Sequence, residues 1–397
     1  MKVNSRTPRR WHLSLVLVAI MVVAGCSSGS AKSGTTTPAA SSQAPPVTQS
    51  QPPVAPSQSA SSSVPAASGS LQGIVLLFYS PGALPGAKLS AYDPASGKMT
   101  ATRSFPAAAE LPINGNYTGY LLRPHWNADF SAMIAQGPVA SDGSAGAGIT
   151  DPSGNYKPLT AGTSGGYGSP AVKVPLGFNP LTGRLWYVNG VDAAGNTPLG
   201  SVDPQVGPAS DRRESTAKHS AGFYYAPSNG ASNVGYFAPD GFGPADANVF
   251  GTTLFLPGGT ELGYVAAGGE LQVQVGKEGT LSDNGPYLPV TSNQPVGVPK
   301  LPVRKNSFVA FGDTVPTQLY LCTIGASQIT ASPLLPASTR VIQDVGVDPT
   351  GTKLAFVSTA GDVASLYTVS LAGSHQLNKL GDIALSSGDT VHVLAWN

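Results

Sequence analysis

Residues 347–371 read VDPTGTKLAFVSTAGDVASLYTVSL. The start of this stretch, Asp348-Pro349-Thr350-Gly351, has the chemistry of a turn: Pro presets φ and Gly supplies a positive φ. The run Lys353-Leu354-Ala355-Phe356-Val357 that follows is apolar and rich in strand formers, and it predicts a strand entering a core. The phrase returns as Phe178-Asn179-Pro180-Leu181-Thr182-Gly183-Arg184-Leu185-Trp186-Tyr187-Val188. Looser copies are WNADFSAMIAQG (126–137) and YAPSNGASNVGYF (225–237).

A second phrase, strand, turn and strand, follows each copy. It reads LSAYDPASGKMTAT (89–102), AGITDPSGNYKPLT (147–160), LGSVDPQVGPAS (199–210), LQVQVGKEGTLS (271–282), LYLCTIGASQITAS (319–332) and LYTVSLAGSHQLNK (366–379). Aligning Asp93, Asp151, Asp203, Gly276, Gly325 and Gly373 gives gaps of 58, 52, 73, 49 and 48 residues. The gap of 73 leaves room for one degraded unit near GFGPADANVFG (241–251). Counting it makes seven units about 47 residues apart. A period of that size with four short strands per unit marks a β-propeller. Residues 390–397 form a strand with no hairpin mate after it, and 73–80 lack a partner before them. Their mutual pairing would close the ring and remove an open sheet edge. The expected fold is therefore all-β, a propeller of about seven blades, with six and eight left open.

Composition agrees with that class. The chain has 48 Gly and 36 Pro among 397 residues and only 11% charged residues, which argues against a mostly helical protein. Its length suffices for a large core. A formal charge of +1 lacks the electrostatic footprint of a nucleic-acid binder, so no nucleic acid is expected as a partner.

Residues 344–371 resemble the TolB-like, or WD40-like, repeats of bacterial envelope propellers, and 174–190 are similar to them less closely. The resemblance implies a propeller domain in the cell envelope and, from the role of that family, a scaffold in envelope assembly.

The N-terminus has export chemistry. Lys2, Arg6, Arg9 and Arg10 precede an apolar run at 13–24 (LSLVLVAIMVVA), which is too short for an ordinary membrane span. Arg9-Arg10 matches a twin-arginine signal only in part, since His12 stands where an apolar residue is usual, and the export route stays open. Val23-Ala24-Gly25-Cys26 resembles the lipobox of bacterial lipoproteins. That resemblance implies cleavage after residue 25 and a diacylglycerol on Cys26, with the protein lipid-anchored at the extracytoplasmic face of the bacterial membrane. Two acyl chains anchor stably because each buried CH₂ contributes about 0.8 kcal/mol. Residues 27–70 carry one charge, Lys32, and no aromatic residue, so they predict a disordered tether of roughly 35–40 Å end to end. The division is thus a signal peptide at 1–25, lipidated Cys plus tether at 26–70, and the propeller domain at 71–397. Residues 1–25 hold four of the 22 basic residues and none of the 21 acidic ones, which leaves 18 against 21, near −3.

Candidate chemistry is sparse. With Cys26 acylated, Cys322 has no partner and reads as a core thiol in a strand. Gly162-Thr163-Ser164-Gly165-Gly166 matches the nucleophile-elbow pattern but lacks the strand-to-helix context that pattern needs. His125, His219, His375 and His392 show no metal-ligand spacing. Asp211-Arg212-Arg213-Glu214 with Lys218-His219 is the densest charge cluster of the mature chain and reads as a solvated loop or a partner contact. Asp240 and Asp246 lack the spacing of a calcium loop. Trp126, Trp186, Tyr224, Tyr225 and Trp396 fall at repeat positions and read as blade core. No catalytic residue is assigned, and no cofactor or metal is expected.

The expected role is a lipid-anchored binding protein whose loops at one mouth of the propeller hold a protein partner or an envelope ligand. Its rivals are a hydrolase or lyase with its site at the central channel and an envelope-assembly scaffold. The intact mass of the membrane-extracted protein should show a diacylated Cys26, and Cys26→Ala should appear in the medium. Retention of that variant in the membrane fraction would refute the anchor.

Overall fold

Short apolar runs, each cut off by a Gly- or Pro-containing turn, can satisfy their backbone groups only by pairing with the run before and the run after. In the computed structural model of the chain the described residues are 71–79, 86–105, 119–138, 141, 144–161, 173–179, 182–189, 199–213, 224–225, 233–238, 241–244, 254–257, 260–267, 270–277, 286–313, 316–361, 363–385 and 388–397. The signal segment, Cys26 and the tether lie outside them.

Among the described residues the strands form seven antiparallel meanders in chain order. The first holds β1 (Ile74–Tyr79), β2 (Ala87–Tyr92) and β3 (Met99–Phe105). A short helix, α1 (Gly119–Leu122), runs into a 3-10 turn (Arg123–His125) and leads to the second, with β4 (Met133–Gln136), β5 (Ala147–Thr150) and β6 (Tyr156–Pro158). The third has β7 (Lys173–Phe178), β8 (Leu185–Asn189), β9 (Leu199–Val202) and β10 (Arg212–Arg213). The fourth has β11 (Tyr224–Tyr225), β12 (Asn233–Ala238) and β13 (Gly241–Pro244). The fifth comprises β14 (Leu254–Leu256), β15 (Thr260–Ala267), β16 (Glu270–Lys277) and β17 (Tyr287–Thr291). The sixth comprises β18 (Val296–Arg304), β19 (Ser307–Gly312), β20 (Leu319–Ile324) and β21 (Ile329–Pro333). The seventh has β22 (Val341–Val347), β23 (Lys353–Ala360), β24 (Val363–Ser370) and β25 (Leu377–Ile383). The last strand, β26 (Thr390–Trp396), returns to the first meander and pairs antiparallel with β1, from Ile74 opposite Trp396 to Tyr79 opposite Thr390. The expected pairing of the two terminal segments is thus present. One parallel pair, Val290 with Ile329 and Thr291 with Thr330, joins the fifth and sixth meanders into an eight-stranded sheet.

The repeat phrases fall where their chemistry requires. Asp93, Asp151, Asp203, Gly325 and Gly373 lie in turns that join the last two strands of a meander. Asp348 Oδ1 accepts hydrogen bonds from the amides of Thr352 and Lys353, both at 2.7 Å, while Gly351 takes φ +66°. Gly276 departs from this pattern. It lies inside β16 opposite Glu261, because β15 and β16 are eight residues long and their partner strand comes later. The long gap in the repeat spacing holds the fourth meander.

Packing explains why several strands read as continuous apolar runs. Along β1, Ile74, Leu76 and Phe78 join a buried cluster with β23 and β24, whereas Val75 and Leu77 join one with Trp126, Phe130 and Met133. In β19, Phe308 and Ala310 face the fifth meander while Val309 and Phe311 face the seventh. Likewise Leu354 and Phe356 of β23 pack toward the sixth meander, and Ala355 and Val357 toward the first. A strand buried on both faces loses the alternation of a half-exposed one. Five clusters therefore sit between neighbours: first and second, second and third, fifth and sixth, sixth and seventh, seventh and first. Cys322 in β20 is fully buried in one of them, and burial pushes its thiol pKa up to about 12.

Deleting residues 390–397 would leave β1 paired on one edge only and uncover both clusters that β26 completes. The truncated chain should lose its cooperative thermal transition in circular dichroism and elute as aggregate. A sharp unfolding transition near that of the full chain would show that β26 is dispensable.

Candidate functional site

Buried charge is costly unless its hydrogen bonds are satisfied, so the polar residues that sink into this apolar interior mark where the fold holds its chemistry. The foremost is Asp344 of β22, which is 0% exposed. β22 lies beside β26, and α1 rests against both strands. Asp344 Oδ2 accepts hydrogen bonds from the Gly119 amide at 2.6 Å, His392 Nδ1 at 3.0 Å and the Val393 amide at 3.1 Å. Its Oδ1 accepts from the Val345 amide at 2.8 Å. One carboxylate thus joins the seventh meander, the returning strand and α1.

Glycine makes the approach possible. A Cβ on Gly119 would stand 2.0 Å from the Val393 carbonyl oxygen, so only a residue without a side chain can bring its amide to Asp344 here. The next residue, Tyr120, packs partly buried against both the fifth–sixth and the sixth–seventh clusters, and burial pushes its pKa up to about 12. Lys300 of β18 completes the group. Burial lowers its pKa, partly offset by the charge of Asp344, and its Nζ lies 5.7 Å from the Phe311 ring centroid.

A second buried polar group lies in the third meander. Lys173 Nζ pairs with Asp211 Oδ2 at 2.8 Å and lies 4.9 Å over the Tyr187 ring, whose hydroxyl donates a short hydrogen bond to Asp211 Oδ1. Asp211, expected in a solvated loop or a partner contact, is half-buried against Lys173 and Tyr187, while its neighbours Arg212 and Arg213 are exposed.

The other candidates scatter. His125 is buried with Nδ1 2.9 Å from the Leu122 carbonyl oxygen. Burial pushes its pKa down to about 4 despite that hydrogen bond, so it is neutral at physiological pH. His375 occupies the β24–β25 turn with its Nδ1 3.1 Å from the Ser370 carbonyl oxygen. Trp126 and Trp186 are core residues, and Trp396 packs partly buried on the seventh–first cluster. Tyr224 and Tyr225 form β11. Residues 162–166, Glu214, Lys218, His219, Asp240 and Asp246 lie outside the described residues. Among the described residues no group of three or more His, Cys, Asp or Glu is placed to hold a metal ion, and no helix is long and apolar enough to cross a membrane.

Of these features the sequence named His392 only as one histidine among four, and nothing in it pairs His392 with Asp344, 48 residues away. Gly119 and Lys300 carried no motif at all.

No protein-family model matches the chain, and no curated protein does. Among solved structures it is similar to TolB from Acinetobacter baumannii, with 14% identity over 83% of this chain and 67% of that one, at a TM-score of 0.37. It is also similar to a prolyl endopeptidase (12% identity, 82% of this chain and 50% of that one, TM-score 0.43) and to oligopeptidase B from Leishmania major (11%, 81% and 49%, TM-score 0.41). The chain spans about half the length of those two peptidases. At these levels of likeness the site has to be argued from its own residues.

Replacing Asp344 by Ala would leave His392 and three main-chain amides without this acceptor, at a cost of about 3–5 kcal/mol. Gly119→Ala, which forces a Cβ against Val393, should cost about 1–3 kcal/mol. Because both act through one contact, the double variant should lose at least about 1 kcal/mol less than the sum in urea denaturation. Strict additivity would show that α1 and Asp344 are energetically separate.

Proposed function

We propose that this chain is an exported lipoprotein, anchored through lipid on Cys26, whose seven meanders close into a seven-bladed β-propeller that binds a protein partner. The tether at 27–70 would hold the domain away from the membrane surface. Support for the ring comes from the first meander, which packs against the second on one face and the seventh on the other. It comes also from the leading strands, which lie side by side: β4 by β7, β14 by β18, β18 by β22 and β22 by β26. In such a ring these strands line the axis, and α1 with Tyr120 occupies part of it.

The observation that carries a binding role is how the central polar groups are spent. A hydrolase or lyase needs titratable groups with lone pairs or protons left for substrate in an accessible cleft. Asp344 is inaccessible and already accepts four hydrogen bonds, three of them from main-chain amides. Such a carboxylate fixes the geometry of the strands around it. What the domain offers to other molecules is a rigid frame with many turns, which suits recognition.

Cross-linking in intact cells followed by affinity capture of the full chain tests the reading. A stoichiometric protein partner, retained by a folded Asp344→Asn variant, is the expected result. Turnover of an ester, glycoside or peptide substrate that this folded variant loses would overturn it in favour of the enzyme.

A further inference from the structure

The seam between the fifth and sixth meanders contains a fork. β17 begins as the partner of β16, with Tyr287 opposite Gln274, Leu288 opposite Val273 and Pro289 opposite Gln272. Continuing that register would set Val290 opposite Leu271, but Val290 pairs instead with Ile329 of β21. Pro289 sits where the strand changes partner, and it has no N–H with which to extend the ladder to β16. Beyond Gln272 the edge of β16 therefore has no strand beside it among the described residues.

A cavity of about 300 Å³ opens in this fork, at the lower end of the range for ligand pockets. Leu271, Val290 and Val296 form an aliphatic floor, and Ser292, Asn293 and Gln294 stand around it. Tyr320 donates a hydrogen bond to Gln294 Oε1 at 3.3 Å, which fixes that amide and leaves its NH₂ to donate elsewhere. Ser292 donates to the Gln294 carbonyl. The Asn293 side chain is exposed and makes no hydrogen bond among the described residues.

The chemistry of this lining selects its occupant. Among the described residues the lining has no titratable side chain, so a charged ligand would be desolvated without a counter-charge. It also has no aromatic ring on which a sugar could stack. The cavity is too small for a helix about 10 Å across. An aliphatic floor, carboxamides that both donate and accept, and a strand edge without a neighbour match an extended peptide, whose main chain adds to a sheet edge while a side chain fills a pocket.

We propose that this fork docks an uncharged extended segment of the partner protein, which inserts one aliphatic side chain between Leu271 and Val290. The main chain of that segment bonds to Asn293, Gln294 and the edge of β16. This inference rests on the binding role argued above and names where and how the partner is held.

Ligand-observed saturation-transfer NMR on the full chain tests it, with N-acetyl-leucine N-methylamide as the probe. The probe should give a saturable signal, and its glycine analogue, free N-acetyl-leucine carboxylate and N-acetylglucosamine should each bind at least about fivefold more weakly. Asn293→Ala and Gln294→Ala should each weaken the probe by about threefold to tenfold, the worth of one hydrogen bond; Asn293→Ala should leave unfolding unchanged, whereas Gln294→Ala also removes the acceptor of the buried Tyr320 hydroxyl. The absence of a saturable signal, tighter binding of N-acetylglucosamine, or indifference to both substitutions would overturn the proposal. A partner captured in cells equally well by the wild-type chain and by these variants would keep the binding role and remove the fork as its site.

Discussion

Strand β1 is apolar on both sides. Ile74, Leu76 and Phe78 are buried against the seventh meander, while Val75 and Leu77 are buried against the second. Burying each such side chain stabilises by about 1.5–3 kcal/mol, so exposing either face would cost several kcal/mol. That is comparable with the whole stability of an ordinary domain, about 5–15 kcal/mol. A sheet of this kind cannot be a terminal layer; it must have a neighbour on each side. β19 and β23 obey the same rule. When every sheet in a series needs two neighbours, a linear stack always leaves two faces wet, and a closed series leaves none. The contacts of the first, sixth and seventh meanders follow from that constraint more directly than from any single hydrogen bond.

The constraint bears most heavily on the seam where the first and last of the described strands pair. β26 supplies Val391 and Val393 to one cluster and Leu394 to the other, so it is a partner of β1 and a filler of both its flanks. Hydrophobic contact alone is tolerant of sliding, and a slip of one residue would exchange the two flanks. Asp344 removes that freedom. Its carboxylate bonds to His392 and the Val393 amide on one strand and to Gly119 on α1, and it can satisfy all three in one register. A buried ion of this sort contributes little net stability compared with an apolar substitute. Its contribution is to specify the arrangement.

The architecture was legible because its signature is local and repeated. Asp-Pro-x-Gly turns and runs such as Leu354-Ala355-Phe356-Val357 declare a turn and a doubly buried strand within a dozen residues. The returning strand was legible by subtraction, as a strand without a hairpin mate. Gly276 was misplaced because alignment by turn residues assumes equal strand lengths, and β16 extends through that position. The polar centre was not legible at all. Asp344 follows Gln343 in an ordinary strand, Gly119 is one of 48 glycines, and the two lie 225 positions apart in the chain. Asp211 misled for a related reason: a cluster of alternating charges reads as solvated, yet the partner that draws it inward, Lys173, begins a strand 38 residues earlier.

The fork at β17 and the seam at β26 are two outcomes of one problem, the open strand edge. At β26 the edge is covered by the chain itself, through a run with free amides along its length. At β17 the covering strand contains Pro289, which cannot continue the ladder, and the chain crosses to β21. What remains beside β16 among the described residues is a short edge at Leu271 and Glu270, with the carboxamides of Asn293 and Gln294 around the adjoining cavity. A short concave edge beside aliphatic side chains and carboxamides is where the proposed extended strand from another protein meets the least resistance.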